Sequence, residues 1–155
     1  MCAEAPSPKR TPETDAFERL IGTWRLLSFQ MQIEDTGEIT EPWGRQPKGW
    51  LVLTPKGRLI TVITAGGLSA PTTDKDATSL LHSMTCYSGK TRMEGKTRFM
   101  TDVDVAWVPA WLGTQQGRSF DLNGEILSVH TDVSTNHPFC PGRPLHFILK
   151  WQRDE

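Results

Sequence analysis

The chain has little of what usually reveals a protein's chemistry at a glance. Of 155 residues only three are cysteine, Cys2, Cys86 and Cys140, an odd number with no Cys-x-x-Cys pair. A disulfide framework is therefore not expected, and a reducing, cytoplasmic setting is. Charge of one sign is also missing. The net charge is −1 and no basic run occurs, so nucleic acid is not an expected partner. No apolar stretch is long enough to span a bilayer, so no membrane association is expected. The stretch from Met1 to Asp15 is polar, carries Pro6, Pro8 and Pro12, and lacks the apolar centre of a signal peptide. It reads as a disordered tail over residues 1–15, ahead of one domain over 16–155. A phosphate-binding glycine loop, a dinucleotide fingerprint, a Gly-x-Ser-x-Gly elbow and a His-Glu-x-x-His helix are all absent. Redox, kinase and serine-hydrolase chemistry have no residues to run on. His137 and Cys140 form a His-x-x-Cys pair, but two ligands do not make a zinc site and no second pair has suitable spacing. Neither a metal nor a cofactor is expected.

What the chain does have is short apolar segments separated by turn residues. Ala16 to Leu20 reads as a short helix capped by Thr14 or Asp15 and broken by Gly22. Strands are expected at Thr23–Ile33, Trp50–Thr54, Arg58–Thr64, Cys86–Met93, Lys96–Trp107, Gln115–Leu122, Glu125–Asp132 and Leu145–Gln152. Hairpin turns fall at Pro55-Lys56-Gly57, Glu94-Gly95 and Asn123-Gly124, the last being the strongest short hairpin signal. One interior helix is expected at Asp74–Met84, with Ala77, Leu80, Leu81 and Met84 at helical spacing. About eight hairpin-linked strands close as a barrel or stack as a sandwich, and as a barrel that number leaves an interior wide enough for one small ligand.

The densest stretch is Ala106 to Arg118, where Trp107, Pro109, Trp111, Gly113 and Gly117 crowd a strand, a corner and the next strand. Alternation places Gln116, Arg118, Phe120 and Leu122 on the apolar face, shared with Leu127 and Val129 across the turn. Arg118 is thus expected inside and His130 outside. The same rule puts Phe99, Thr101, Val103, Val105 and Trp107 inward, with Asp102 and Asp104 outward unless a bulge intervenes. On the first strand the choice is less clean: if Trp24 is inward, so are Leu26, Ser28, Gln30 and Gln32. On the last strand the rule puts Leu145, Phe147, Leu149, Trp151 and Arg153 inward.

Two sets of residues resemble known families. Gly22-Thr23-Trp24, opening the first strand after a short helix, looks like the Gly-x-Trp signature of the calycin barrels. There the tryptophan closes the barrel floor beneath a basic residue of the last strand, a place Arg153 could fill. The wider layout runs from Leu20 to Ser28, through Pro47–Leu51, Pro55–Arg58, Val108–Arg118 and Leu122–Leu127, to Lys150–Arg153. It resembles the small intracellular lipocalin-like domain family of bacteria and fungi. The resemblance implies an all-β, antiparallel up-and-down barrel with a short N-terminal helix and one short lid helix. For some members it implies cofactor-free chemistry on polyketide- or terpenoid-like molecules in natural-product pathways. Many relatives carry histidine near the position of Thr101-Asp102, and here that histidine is missing.

The candidate catalytic residues are Arg118, Tyr87, His82 and His137. A guanidinium inside a barrel cannot shed its proton and needs partners, either protein oxygens or an anionic ligand. A carboxylate, enolate or phenolate would suit its fork. Tyr87, the single tyrosine, could donate a proton or simply be a core aromatic. His82 on the lid helix and His137 in the Ser134–Pro144 loop could act as acid or base, or be merely solvated. Candidate ligand contacts are Gln116, Ser28, Gln30, Thr101, Trp50, Trp107, Trp111 and Phe120, and with Trp43 the indoles suggest an aromatic-lined mouth. Two functions fit. One is a cofactor-independent cyclase, isomerase or dehydratase acting on a small hydrophobic or aromatic molecule. The other is a passive carrier or sensor of such a ligand; a third and weaker idea is an interaction module whose barrel is filled by its own side chains. Either could be a monomer or a homodimer.

Overall fold

The computed structural model describes residues 9–155. The elements are α1 (Pro12–Leu20), β1 (Gly22–Ile33), β2 (Ile39–Thr40), β3 (Lys48–Leu53), β4 (Arg58–Thr64), α2 (Asp74–Leu81), β5 (Met84–Met93), β6 (Arg98–Ala106), a 3₁₀ turn (Pro109–Trp111), β7 (Gln115–Asn123), β8 (Ile126–Thr131) and β9 (Leu145–Arg153). Neighbouring strands follow the order β2-β1-β3-β4-β5-β6-β7-β8-β9, and β1 also pairs with β9. Eight antiparallel strands therefore close into a barrel, and β2 is a two-residue addition to the end of β1 that periodicity did not anticipate.

Helix α1 starts a turn earlier than expected. Thr11 is its cap, accepting from the Thr14 amide, and Pro12 opens the first turn, where a missing N–H costs nothing. Residues 12–15 thus belong to the helix, while the first eight residues of the expected tail lie outside the described ones. Helix α2 begins with a capping box between Thr73 and Asp76 and stops at Leu81, so Met84 opens β5 instead of closing the helix. None of its residues is buried.

The two ends of the barrel differ. At one end the strands are joined by the short turns 54–57, 94–97 and 124–125, and α1 lies across the opening. At the other end lie the long connections 34–47, 65–83, 107–114 and 132–144. The first end is sealed from within. Trp24 is fully buried and donates its indole N–H to the Leu20 carbonyl at 2.9 Å. The Arg153 guanidinium lies 4.1 Å from the Trp24 ring and donates to the Ile21 carbonyl at 2.9 Å and to the Arg19 carbonyl. This is the floor that the Gly-x-Trp resemblance implied. Gly22 is required there: its φ is +136°, and a Cβ would stand 2.4 Å from the Glu155 carbonyl oxygen.

Leu20, Leu51, Leu53, Leu59, Phe99, Leu127 and Trp151 fill the barrel above this floor. They leave only a void of about 10 Å³ with Thr91 on its wall, barely room for one water. The closed half is therefore solid.

Two bulges reset the inward pattern. On β1 the pairing shifts between Leu26, opposite Trp151, and Ser28, opposite Lys150. Leu27 is the extra residue, and beyond it Phe29, Met31 and Ile33 face in. Ser28, Gln30 and Gln32, expected on the inner wall, are on the outer one. On β6 the pairing shifts where Ser88 opposes Val105 and Gly89 opposes Val103, leaving Asp104 as the extra residue. Ala106 turns inward against the core. Val105, at 61% exposure, and Trp107 turn outward, against the simple alternation.

Candidate functional site

Arg118 sits midway along β7, opposite Phe99 on β6 and Thr131 on β8. Directly opposed residues project to the same face, and Phe99 is a buried core residue. Arg118 therefore points into the barrel, half-buried, as alternation required. Its Nη1 donates to the Gly117 carbonyl at 2.7 Å and its Nη2 to the Gln116 side-chain oxygen at 3.3 Å. Among the described residues no carboxylate oxygen lies within 4.0 Å of it. The acid that feels its charge is Asp132, whose carboxyl is held below the usual range chiefly by hydrogen bonds from Arg98, with a smaller push from Arg118. Gly117 makes room for that outer pair: a Cβ there would meet the Arg98 Nη2 at 2.0 Å. Arg118 itself keeps most of its donors free.

The guanidinium carbon of Arg118 lies 5.9 Å from the Tyr87 ring centre, and Trp111 meets the same ring edge-on at 5.7 Å. Tyr87 is buried and opposes Thr61 on β4. The Thr61 hydroxyl is buried with no hydrogen-bond partner, and so is that of Thr85, two residues along the same face of β5. A buried hydroxyl without a partner costs about 1–3 kcal/mol. The inner wall near Tyr87 thus carries one cation with free donors and two unpaired hydroxyls. Sequence reading missed both threonines. Thr61 alternates inward with Leu59 and Ile63, and a threonine in such a strand looks like an ordinary β-former.

A second aromatic group lies among the long loops. Trp43 stacks on Phe29 at 4.4 Å, Phe29 on Phe147 at 5.1 Å, and His137 meets Phe147 edge-on at 4.9 Å. Burial pushes the His137 imidazolium pKa below its ordinary value, and its Nδ1 accepts from the Phe139 amide at 3.2 Å. His137 is therefore a neutral part of an aromatic cap. His82 closes α2 and is exposed. Among the described residues no hydrogen bond or ring contact joins either histidine to Arg118 or Tyr87.

The remaining candidates divide. Gln116 and Trp111 join the Arg118 group, and Phe120 lies two residues nearer the floor, its ring 5.9 Å from that of Phe99. Thr101 is fully buried, and its hydroxyl is paired with that of Thr91 at 2.8 Å, which leaves it little to offer a ligand. Trp50 is on the outer wall, 45% exposed. Trp107 is outside as well, its indole donating to the Leu81 carbonyl at 3.1 Å and so holding the end of α2. Asp104 pairs on the outer face with Arg58 and Ser88, and Asp102 with Arg92 and Gln115.

The family model described as a lipocalin-like domain matches residues 21–153. The chain belongs to the lipocalin-like domain family. The floor and the closed barrel are consistent with that membership, and the lipocalin-like barrel is consistent with binding small hydrophobic ligands. No curated protein matches the chain in sequence. A solved structure of a redesigned β barrel is similar to this lipocalin-like domain at 17% identity and a TM-score of 0.44, covering 90% of this chain and 96% of that one.

Proposed function

We propose that this lipocalin-like domain binds a small, mainly apolar molecule by an acidic or carbonyl oxygen and promotes its cyclisation, isomerisation or dehydration without a cofactor. The observation that carries this reading is the inward, half-buried Arg118, which has no carboxylate partner among the described residues and sits beside Tyr87. In a site poor in water such a cation strongly favours a developing oxyanion. In a dehydration, Tyr87 would give its proton to the departing hydroxyl, which leaves as water. The phenolate, steadied by Arg118, would then take the proton from the carbon beside the anchored carbonyl. Trp111 would flank the guest, and the unpaired hydroxyls of Thr61 and Thr85 would bond to its second oxygen or to water beside it.

Passive carriage of the same kind of molecule is the second reading. It is favoured by the lack, among the described residues, of any bond between either histidine and Arg118, which leaves Tyr87 beside it. Two probes decide between them. cis-Parinarate, an apolar fluorescent carboxylate, reports binding. Deuterium exchange at the activated methylene of 2-tetralone, followed by proton NMR, reports enolate formation. The enzyme reading expects tight parinarate binding and exchange above background that Arg118→Ala abolishes. Tight binding with exchange at the background rate supports the carrier. If wild type and Arg118→Ala bind parinarate equally, the anchor is wrong.

A further inference from the structure

The outer wall of β3, β4, β5 and β6 is unlike the rest of the surface. Register aligns Trp50, Val62 and Cys86 in one row, and the amide of Trp107 donates to the Cys86 carbonyl at 2.8 Å, extending that row to four. The next row towards the floor is Val52, Ile60, Ser88 and Val105. All eight point outward and none is charged. Trp50, Ile60, Val62, Val105 and Trp107 are each between 40% and 61% exposed, as is Leu81 at the end of α2, whose carbonyl Trp107 holds. These side chains present roughly 600 Å² of apolar surface, at the upper limit of what a lone soluble domain usually shows.

We propose that this face is the dimer interface of the protein, covered by the same face of a second copy. Three observations choose a copy of the chain over another occupant. The first is area: with the rim beyond it, roughly 600 Å² approaches the ~800 Å² per partner of a standard stable interface. The second is pattern. A two-fold interface must complement itself, and the row Trp50, Val62, Cys86, Trp107 reads large, small, small, large in both directions. A two-fold axis running along the strands between β4 and β5 sets each Trp50 against the partner's Trp107, and Val62 against the partner's Cys86. Two twisted sheets stack face to face in this way. The third is charge. The floor-side border carries both signs, Arg58 and Lys90 beside Asp104 and Asp102, with Arg25 opposite Trp50 and Lys48 at the other edges. A lipid-binding face would instead want a basic rim with no carboxylate at its edge. The outward turn of Val105 and Trp107 belongs to the same design, because the Asp104 bulge that makes it leaves the ladder otherwise intact. Dimerisation would also clamp the Trp107–Leu81 contact that holds α2.

Sedimentation velocity on the full chain at tens of micromolar tests this, independently of what the barrel binds. Twice the 17.4 kDa chain mass is expected for wild type. The single-chain mass is expected for Ile60→Lys/Val62→Lys, with far-UV circular dichroism and parinarate binding unchanged. Should that variant fail to fold, Cys86 serves instead. In a Cys2→Ser/Cys140→Ser background, bismaleimidoethane joins Cys86 to its copy if the axis runs beside it. A wild type of single-chain mass overturns the proposal, above all if that species binds anionic phosphatidylglycerol vesicles. So does a dimer that survives Ile60→Lys/Val62→Lys with no Cys86 cross-link.

Discussion

The guanidinium of Arg118 and the ring of Tyr87 face each other at 5.9 Å inside the barrel, and among the described residues no carboxylate completes the pair. Removing a cation that the fold does not neutralise costs little stability but takes away the anchor for a ligand. Arg118→Ala is expected to change the unfolding free energy by less than about 1 kcal/mol. Parinarate affinity should fall by about ten- to a hundred-fold, the loss of a charge-assisted hydrogen bond of roughly 1.5–3 kcal/mol. Urea denaturation and fluorescence titration measure the two. A large stability loss with unchanged affinity would make Arg118 a purely structural residue.

The opposite balance is expected at the floor. Arg153 covers Trp24 and binds two carbonyls near the end of α1. Arg153→Ala leaves those carbonyls without a donor and uncovers the indole, so about 2 kcal/mol of stability should be lost. Parinarate binding at the far end of the barrel should hardly change at concentrations of urea where the variant is folded.

Two glycines on the strands either side of β6 should respond differently to the same substitution. At Gly89 a Cβ would stand 2.1 Å from the Asp102 carbonyl oxygen, a backbone atom that can retreat only if β6 moves. Gly89→Ala should cost about 2–3 kcal/mol and disturb the adjoining bulge. At Gly117 the clash is with the tip of Arg98, a flexible side chain that can swing off Asp132. Gly117→Ala should cost less than about 1 kcal/mol. Equal urea midpoints for the two variants would contradict this account.

Acid should weaken the fold in two stages. His137 and His130 are both held below the ordinary histidine pKa, His137 by burial and His130 by burial and then by the nearby His146. As the pH drops through the ordinary value the unfolded chain takes up protons that the folded one refuses, so stability falls until the lowered folded values are reached. Asp132 and Asp104 are held low by Arg98 and Arg58, and their contribution is lost later, as the pH falls through their folded values. The urea midpoint should therefore drop between about pH 7 and pH 5.5. His130→Asn/His137→Asn should flatten that drop and leave the more acidic one in place.

Composition, turns and period-two alternation were enough to set out an all-β chain of hairpins and the inward side of Arg118, while the family resemblance implied the closed barrel and the Trp24–Arg153 floor. The first two are local matters. Asn123-Gly124 makes a hairpin wherever it occurs, and β7 keeps one register from end to end, so counting by twos from Leu127 reaches Arg118 safely. The same counting failed for Ser28, Gln30 and Trp107. Each lies beyond a bulge, at Leu27 or Asp104, where one inserted residue reverses every face that follows, and no residue type in those strands announces it. The pairing of strands distant in the chain decided the rest. It brought Thr61 and Thr85 beside Tyr87 with unpaired hydroxyls, and His137 onto Phe147 away from Arg118. It also set Trp50, Val62, Cys86 and Trp107 in one outer row. A hydrophobic period says that a side chain wants to leave water, while only the closed sheet settles which neighbours it meets there.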